Sequence, residues 1–133
     1  MTKKNRIQKL QRRIDKFAQK YKDKKVFLYG AGQFFQELSK ELDLSKLNIV
    51  GISDLKFCNH KENETFLGYK VYSLSEVVDM KPDLLLVTLK FYTKVIEELY
   101  YRHFYNTKTK IRPFEQKGFI ELFKEYSGIG KTK

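Results

Sequence analysis

KKVFLYGAGQFFQEL, residues 24–38, runs from a short apolar strand through a glycine turn into a helix. The strand is apolar at every position, the mark of burial on both faces. Gly30 and Gly32 permit a tight turn and let backbone N–H groups approach an anion where the helix begins. One position departs from the dinucleotide-binding pattern. Three residues after Gly32, where that pattern wants glycine or alanine, stands Phe35. Phe35, Leu38 and Leu42 share a helical stripe, so Phe35 faces the sheet. A phenyl ring there is expected to lift the helix, widen the turn and weaken a pyrophosphate grip.

Outward from this unit the chain alternates. Strands are expected at 26–30, 48–54, 68–73, 82–89 and 108–114. Helices are expected at about 32–43, from Leu74, over 91–104 and over 115–127, with a polar loop at 55–67. Ser73 and Glu76 stand at capping-box spacing ahead of the third-strand helix. Such alternation predicts an α/β, Rossmann-like three-layer domain with a five-stranded parallel sheet in the order 3-2-1-4-5. Three segments follow: a basic amphipathic helix at 1–23, the α/β domain at 24–127 and a tail at 128–133.

The 133 residues suffice for one core without disulfide or metal staples, and 41% hydrophobic with 15% aromatic residues supplies material to bury. A single cysteine, no run approaching a membrane span and no signal-peptide apolar segment read as cytoplasmic. Of the +11 net charge, +9 lies in residues 1–25, which hold eleven basic and two acidic side chains. There Ile7, Leu10, Ile14, Phe17 and Tyr21 recur at spacings 3, 4, 3 and 4, an apolar stripe on a basic helix. The stripe can pack on the domain's own body, on a second copy or on a partner enzyme. The basic face can instead meet anionic lipid or nucleic acid. No aromatic residue interleaves that face, which weakens the case for single strands.

Asp54 ends the second strand, 22 residues after Gly32, where an acidic group would receive a ribose hydroxyl or simply cap a turn. Lys90, just past the most apolar strand, suits a phosphate or a solvated helix start. No metal site is expected, because Cys58, His60 and His103 do not make a ligand set. No catalytic residue is assigned. Tyr21 and Lys25 have a dehydrogenase-like spacing but precede the glycine turn. GIGKT at 128–132 lacks the first glycine of a P-loop, Glu125 standing in its place. Any chemistry would draw much of its machinery from a partner chain or from the substrate.

Gly30-Ala31-Gly32, Gly51-Ile52-Ser53-Asp54 and Gly68-Tyr69-Lys70-Val71 together resemble the small Rossmann-like domains of bacterial surface-polysaccharide proteins. Those domains precede sugar acyltransferases, nucleotide-sugar 4,6-dehydratases and some sugar methyltransferases. The resemblance spans about residues 24–114 and leaves out the basic helix. It implies a nucleotide or nucleotide-sugar binding domain in surface-polysaccharide or glycan biosynthesis, not catalytic alone. The ligand is left open between a nucleotide sugar and NAD(P). The turn residues Gly30, Ala31, Gly32, Gln33 and Phe34 with Asp54 would hold it, and Thr88 and Lys90 would line the crevice's other side. The alternatives are a non-binding interaction or dimerisation module and an NAD(P)-dependent nucleotide-sugar enzyme domain.

Overall fold

A computed structural model describes residues 2–118. In chain order these form α1 (Lys3–Lys20), β1 (Val26–Tyr29), α2 (Gln33–Ser39), β2 (Ile49–Ser53) and a 3-10 turn (Leu55–Phe57). A hairpin of β3 (Thr65–Phe66) and β4 (Tyr69–Lys70) follows, then α3 (Leu74–Met80), β5 (Leu84–Val87), α4 (Thr93–Leu99), a π turn (Tyr100–Phe104) and β6 (Lys110–Pro113). The main sheet is parallel and four-stranded, in the order β2-β1-β5-β6.

Every residue of β1 and of β5 is buried, because helices cover both sheet faces. On one face α2 packs with Val26, Leu28, Leu84 and Leu86; on the other, α3 and α4 pack with Phe27, Tyr29, Leu85 and Val87. Right-handed crossovers explain this division. The chain leaves β1 in one direction to reach β2, then reverses past β1 to β5 and β6, so the later helices fall on the opposite face. On the α2 face, α1 adds to the cover over the sheet. Leu10, Ile14 and Ala18 of α1 are buried there, and Ile7, Phe17 and Tyr21 pack against the same cluster. Burying Leu10 and Ile14 contributes about 1.5–3 kcal/mol each. Polar ties fix the helix at both ends of the layer. Arg13 donates to the carbonyls of Pro113 (2.6 Å) and Phe114 (3.2 Å), Arg6 forms a two-pronged pair with Glu115, and Gln11 donates to the Asp43 carbonyl at 2.9 Å.

The expected five strands become four. The segment 68–73 joins the main sheet by a single parallel bridge, Val71 to Ile52, backed by the Tyr72 N–H on the Ile52 carbonyl. Most of it turns back instead as the antiparallel β3–β4 hairpin. Leu67 (φ 52°) and Gly68 (φ 83°) supply the two positive φ angles that a type I′ turn requires. The helix expected over 32–43 stops at Ser39, whose hydroxyl donates to the Gln36 carbonyl, and Leu44 and Leu47 then fold under into the core. The helix expected over 91–104 loosens into the π turn, which buries Phe104 and leaves Tyr100 and Tyr101 exposed. The capping box at Ser73 and Glu76 forms as expected. Of the closing helix, 115–118 are not helical, and 119–133, including the tail, lie outside the described residues.

Candidate functional site

The turn after β1 is built around Gly30. Its φ is 126°, and a Cβ there would stand 2.7 Å from the Thr88 hydroxyl and 2.8 Å from the Thr88 carbonyl. No other residue type fits that approach. The Gly30 N–H donates to the Ser53 carbonyl at 2.9 Å, which ties the turn to the end of β2. Thr88, expected to line the crevice, is fully buried, with its hydroxyl within 2.6 Å of the Gly30 carbonyl and 2.9 Å of the Tyr29 carbonyl. It pins the turn to β5.

The β2 side of the turn is closed by the protein's own groups. Asp54 Oδ2 accepts from the Ala31 N–H at 2.7 Å, and Oδ1 accepts from the Lys56 N–H at 3.2 Å. The Lys56 ammonium returns to the Ala31 carbonyl at 2.8 Å and sits over the Phe66 and Phe57 rings. Asp54, expected to receive a ribose hydroxyl, is thus a latch on the turn and the cap of the 3-10 segment. Phe35 lies fully buried under α2, edge-on to Phe114 with centroids 5.7 Å apart. The ring does face the sheet, and the Ala31 N–H, a backbone donor of the turn, is already engaged by Asp54.

The β5 side is open. Gly32 caps α2 with nothing within 4 Å of where its Cβ would be, and Gln33 is exposed with its amide on Glu37. Half-buried Phe34 and exposed Lys90 flank a groove of about 1000 Å³ that runs along α1. Leu10 and Phe17 supply more of its apolar surface. Among the described residues, nine basic side chains line it against one carboxylate, Glu115, which Arg6 holds. Burial lowers the pKa of Arg13, and neighbouring Arg112 adds to that.

Sequence reasoning noticed the basic face of α1 but gave it no place in the fold. Its juxtaposition with Phe34 and Lys90 depends on the crossover that brings β5 beside β1. It missed the Lys56 strap and the Ser53 hydroxyl, which is buried at the end of β2 with no hydrogen-bond partner among the described residues. Neither carries a local signal. The groups weighed as metal ligands do not converge: Cys58 is exposed, His103 is exposed on the π turn, and His60 is paired with Glu76.

A parallel sheet between two helical layers, with a glycine turn at its carboxyl edge and a cationic groove beside it, defines a mixed α/β domain. Residues 22–110 match the family described as C2185-like, N-terminal, and the chain belongs to that family. No curated protein and no solved structure matches it significantly. Among the described residues, no helix is long and apolar enough to cross a membrane.

Proposed function

We propose that this chain is a nucleotide or nucleotide-sugar binding domain of bacterial surface-polysaccharide or glycan biosynthesis, cytoplasmic and without catalysis of its own. Its fold is read as Rossmann-like, with the Val71 bridge as a reduced fifth strand at the outer edge of β2. One observation carries the reading. The glycine turn stands where the chain leaves β1 for β2 on one side while β5 lies on the other, and a groove of about 1000 Å³ opens beside it. In open α/β sheets, ligands bind outside the carboxyl ends of the strands at that reversal. The volume suits a ligand of nucleotide-sugar size.

The test is a thermal-shift panel of UDP-, GDP- and CMP-sugars with NAD(H), NADP(H), S-adenosylmethionine and coenzyme A. A ligand at about 100 times its Kd stabilises the folded state by about 2.7 kcal/mol, a readily measured rise in Tm. The expected outcome is a rise with one nucleotide sugar. A rise with NAD(P) alone would make the chain a nicotinamide-dependent domain. Silence across the panel would sink the reading and favour an interaction module, for which the Asp54 latch on Ala31 is the supporting observation.

A further inference from the structure

We infer that the groove along α1 is a binding site for a pyrophosphate-bearing small ligand, gripped by Lys9, Arg12 and Lys16 together with Lys90. This rests on reading the crevice as a nucleotide-type site and says where the phosphates go. The turn itself offers little, since its Ala31 N–H is held by Asp54 and Phe35 fills the space beneath. The cations of α1 have the opposite character. Lys9, Arg12 and Lys16 follow one another at spacings of 3 and 4, so they project from one flank of the helix. All three are exposed and line the groove, and none has an ion pair among the described residues. Like charges at these spacings repel and destabilise the helix, so an anion bridging them relieves a standing cost. Lys90, just past β5, adds a further cation to the lining of the same groove. Arg13 cannot serve, because its guanidinium is spent on the carbonyls of Pro113 and Phe114.

The shape selects among anions. A membrane surface or a duplex would meet a convex face, whereas these cations line a concavity with Leu10, Phe17 and Phe34 on its apolar part. That combination takes phosphates at one end and an apolar or aromatic ring at the other. Arg12 supplies a planar fork for phosphate oxygens, and the lysines supply point charges.

The experiment is calorimetric titration of the full chain with inorganic pyrophosphate, comparing wild type with Lys9→Gln/Arg12→Gln/Lys16→Gln. A charge-matched control, Lys4→Gln/Lys22→Gln/Lys24→Gln, lies outside the groove. All six side chains are exposed, so both variants should fold. We expect wild type and control to bind alike and the groove variant to bind about 100-fold more weakly. Equal weakening of both variants would reduce the effect to net charge and overturn the site. Absence of pyrophosphate binding by wild type would also overturn it, as would a preference of the groove for anionic vesicles in co-sedimentation. Nucleotide-sugar binding unaffected by the groove variant would refute this site and leave the proposed function standing. Pyrophosphate binding with a silent nucleotide panel would do the reverse.

Discussion

The two flanks of the glycine turn carry the same kinds of residue to different ends. On the β2 flank, Asp54 and Lys56 turn inward on Ala31 and satisfy its N–H and carbonyl. On the β5 flank, Lys90 and the basic stripe of α1 face a groove, with no carboxylate among the described residues on Lys9, Arg12 or Lys16. The glycines are shared, so they do not decide which flank can take a ligand. What decides is which polar groups the fold leaves unsatisfied. A closed, internally paired flank is cheap to maintain and has little to offer a phosphate. A flank of unpaired like charges costs helix stability, about 0.2–0.5 kcal/mol for each neighbouring pair, and that cost falls when an anion arrives.

The hardest way to break the contrast is through the core both flanks share. Phe35→Ala removes a fully buried ring packed edge-on against Phe114 and should cost about 3–5 kcal/mol in urea unfolding. The latch should survive it. A variant that unfolded at nearly the wild-type midpoint would mean that α2 collapses into the space. Gly30→Ala comes next, at about 2–4 kcal/mol, since it meets both a φ of 126° and an overlap with Thr88. A loss under about 1 kcal/mol there would mean that the turn relaxes freely and fixes neither flank. Asp54→Ala touches the β2 flank alone. It strips the acceptor from two backbone N–H groups and should cost about 1–2 kcal/mol while pyrophosphate binding stays unchanged or tightens slightly. Loss of pyrophosphate binding in that variant would erase the distinction between the flanks.

Much of this architecture is legible in the sequence because its signals are local. The 7/10/14/17/21 stripe, the apolar runs of β1 and β5 and the Ser73–Glu76 box each reside within a few residues. The β3–β4 hairpin is not legible in that way, because its turn is Leu67-Gly68 rather than the Asn-Gly that announces such turns. Nor is the orientation of Thr88. A strand buried on both faces loses its alternation, so nothing in the run reveals that this hydroxyl bonds back to Gly30 and Tyr29. Asp54 was found as a residue but not as a latch, since its partner Ala31 is 23 positions away. The candidate groove is the least legible feature. Its walls, α1 on one side and Phe34 with Lys90 on the other, are far apart in the sequence and meet only through the crossover to β5.

The smallest effect concerns a third charged cluster, which tests whether internal pairing of the Asp54 kind titrates as a closed flank should. His60 Nε2 lies 2.5 Å from Glu76 Oε1, and Nδ1 lies 2.8 Å from the Lys61 carbonyl. Both ring nitrogens face acceptors, and only the protonated imidazole can donate to both. Its hydrogen bond to Glu76 therefore raises the His60 pKa above 6.5, and the same bond, with the Ser73 backbone N–H, pushes Glu76 down to about 2. The raised histidine contributes stability that is fully present below pH 6.5 and is lost as pH climbs through its folded-state value. The depressed carboxylate contributes stability that is present above about pH 4.5 and is lost as pH falls toward 2. The pair is therefore strongest in mildly acidic solution, where it straps the 55–64 loop to the start of α3. Melting curves should show wild type ahead of His60→Gln between about pH 4.5 and 6.5, with the difference in Tm shrinking as pH rises further. Glu76→Gln, which retains much of the cap but not the charge, should remove the same pH-dependent difference. A Tm difference constant from mildly acidic to alkaline solution would show that the histidine acts by packing, and that pairing within the chain does not hold this loop.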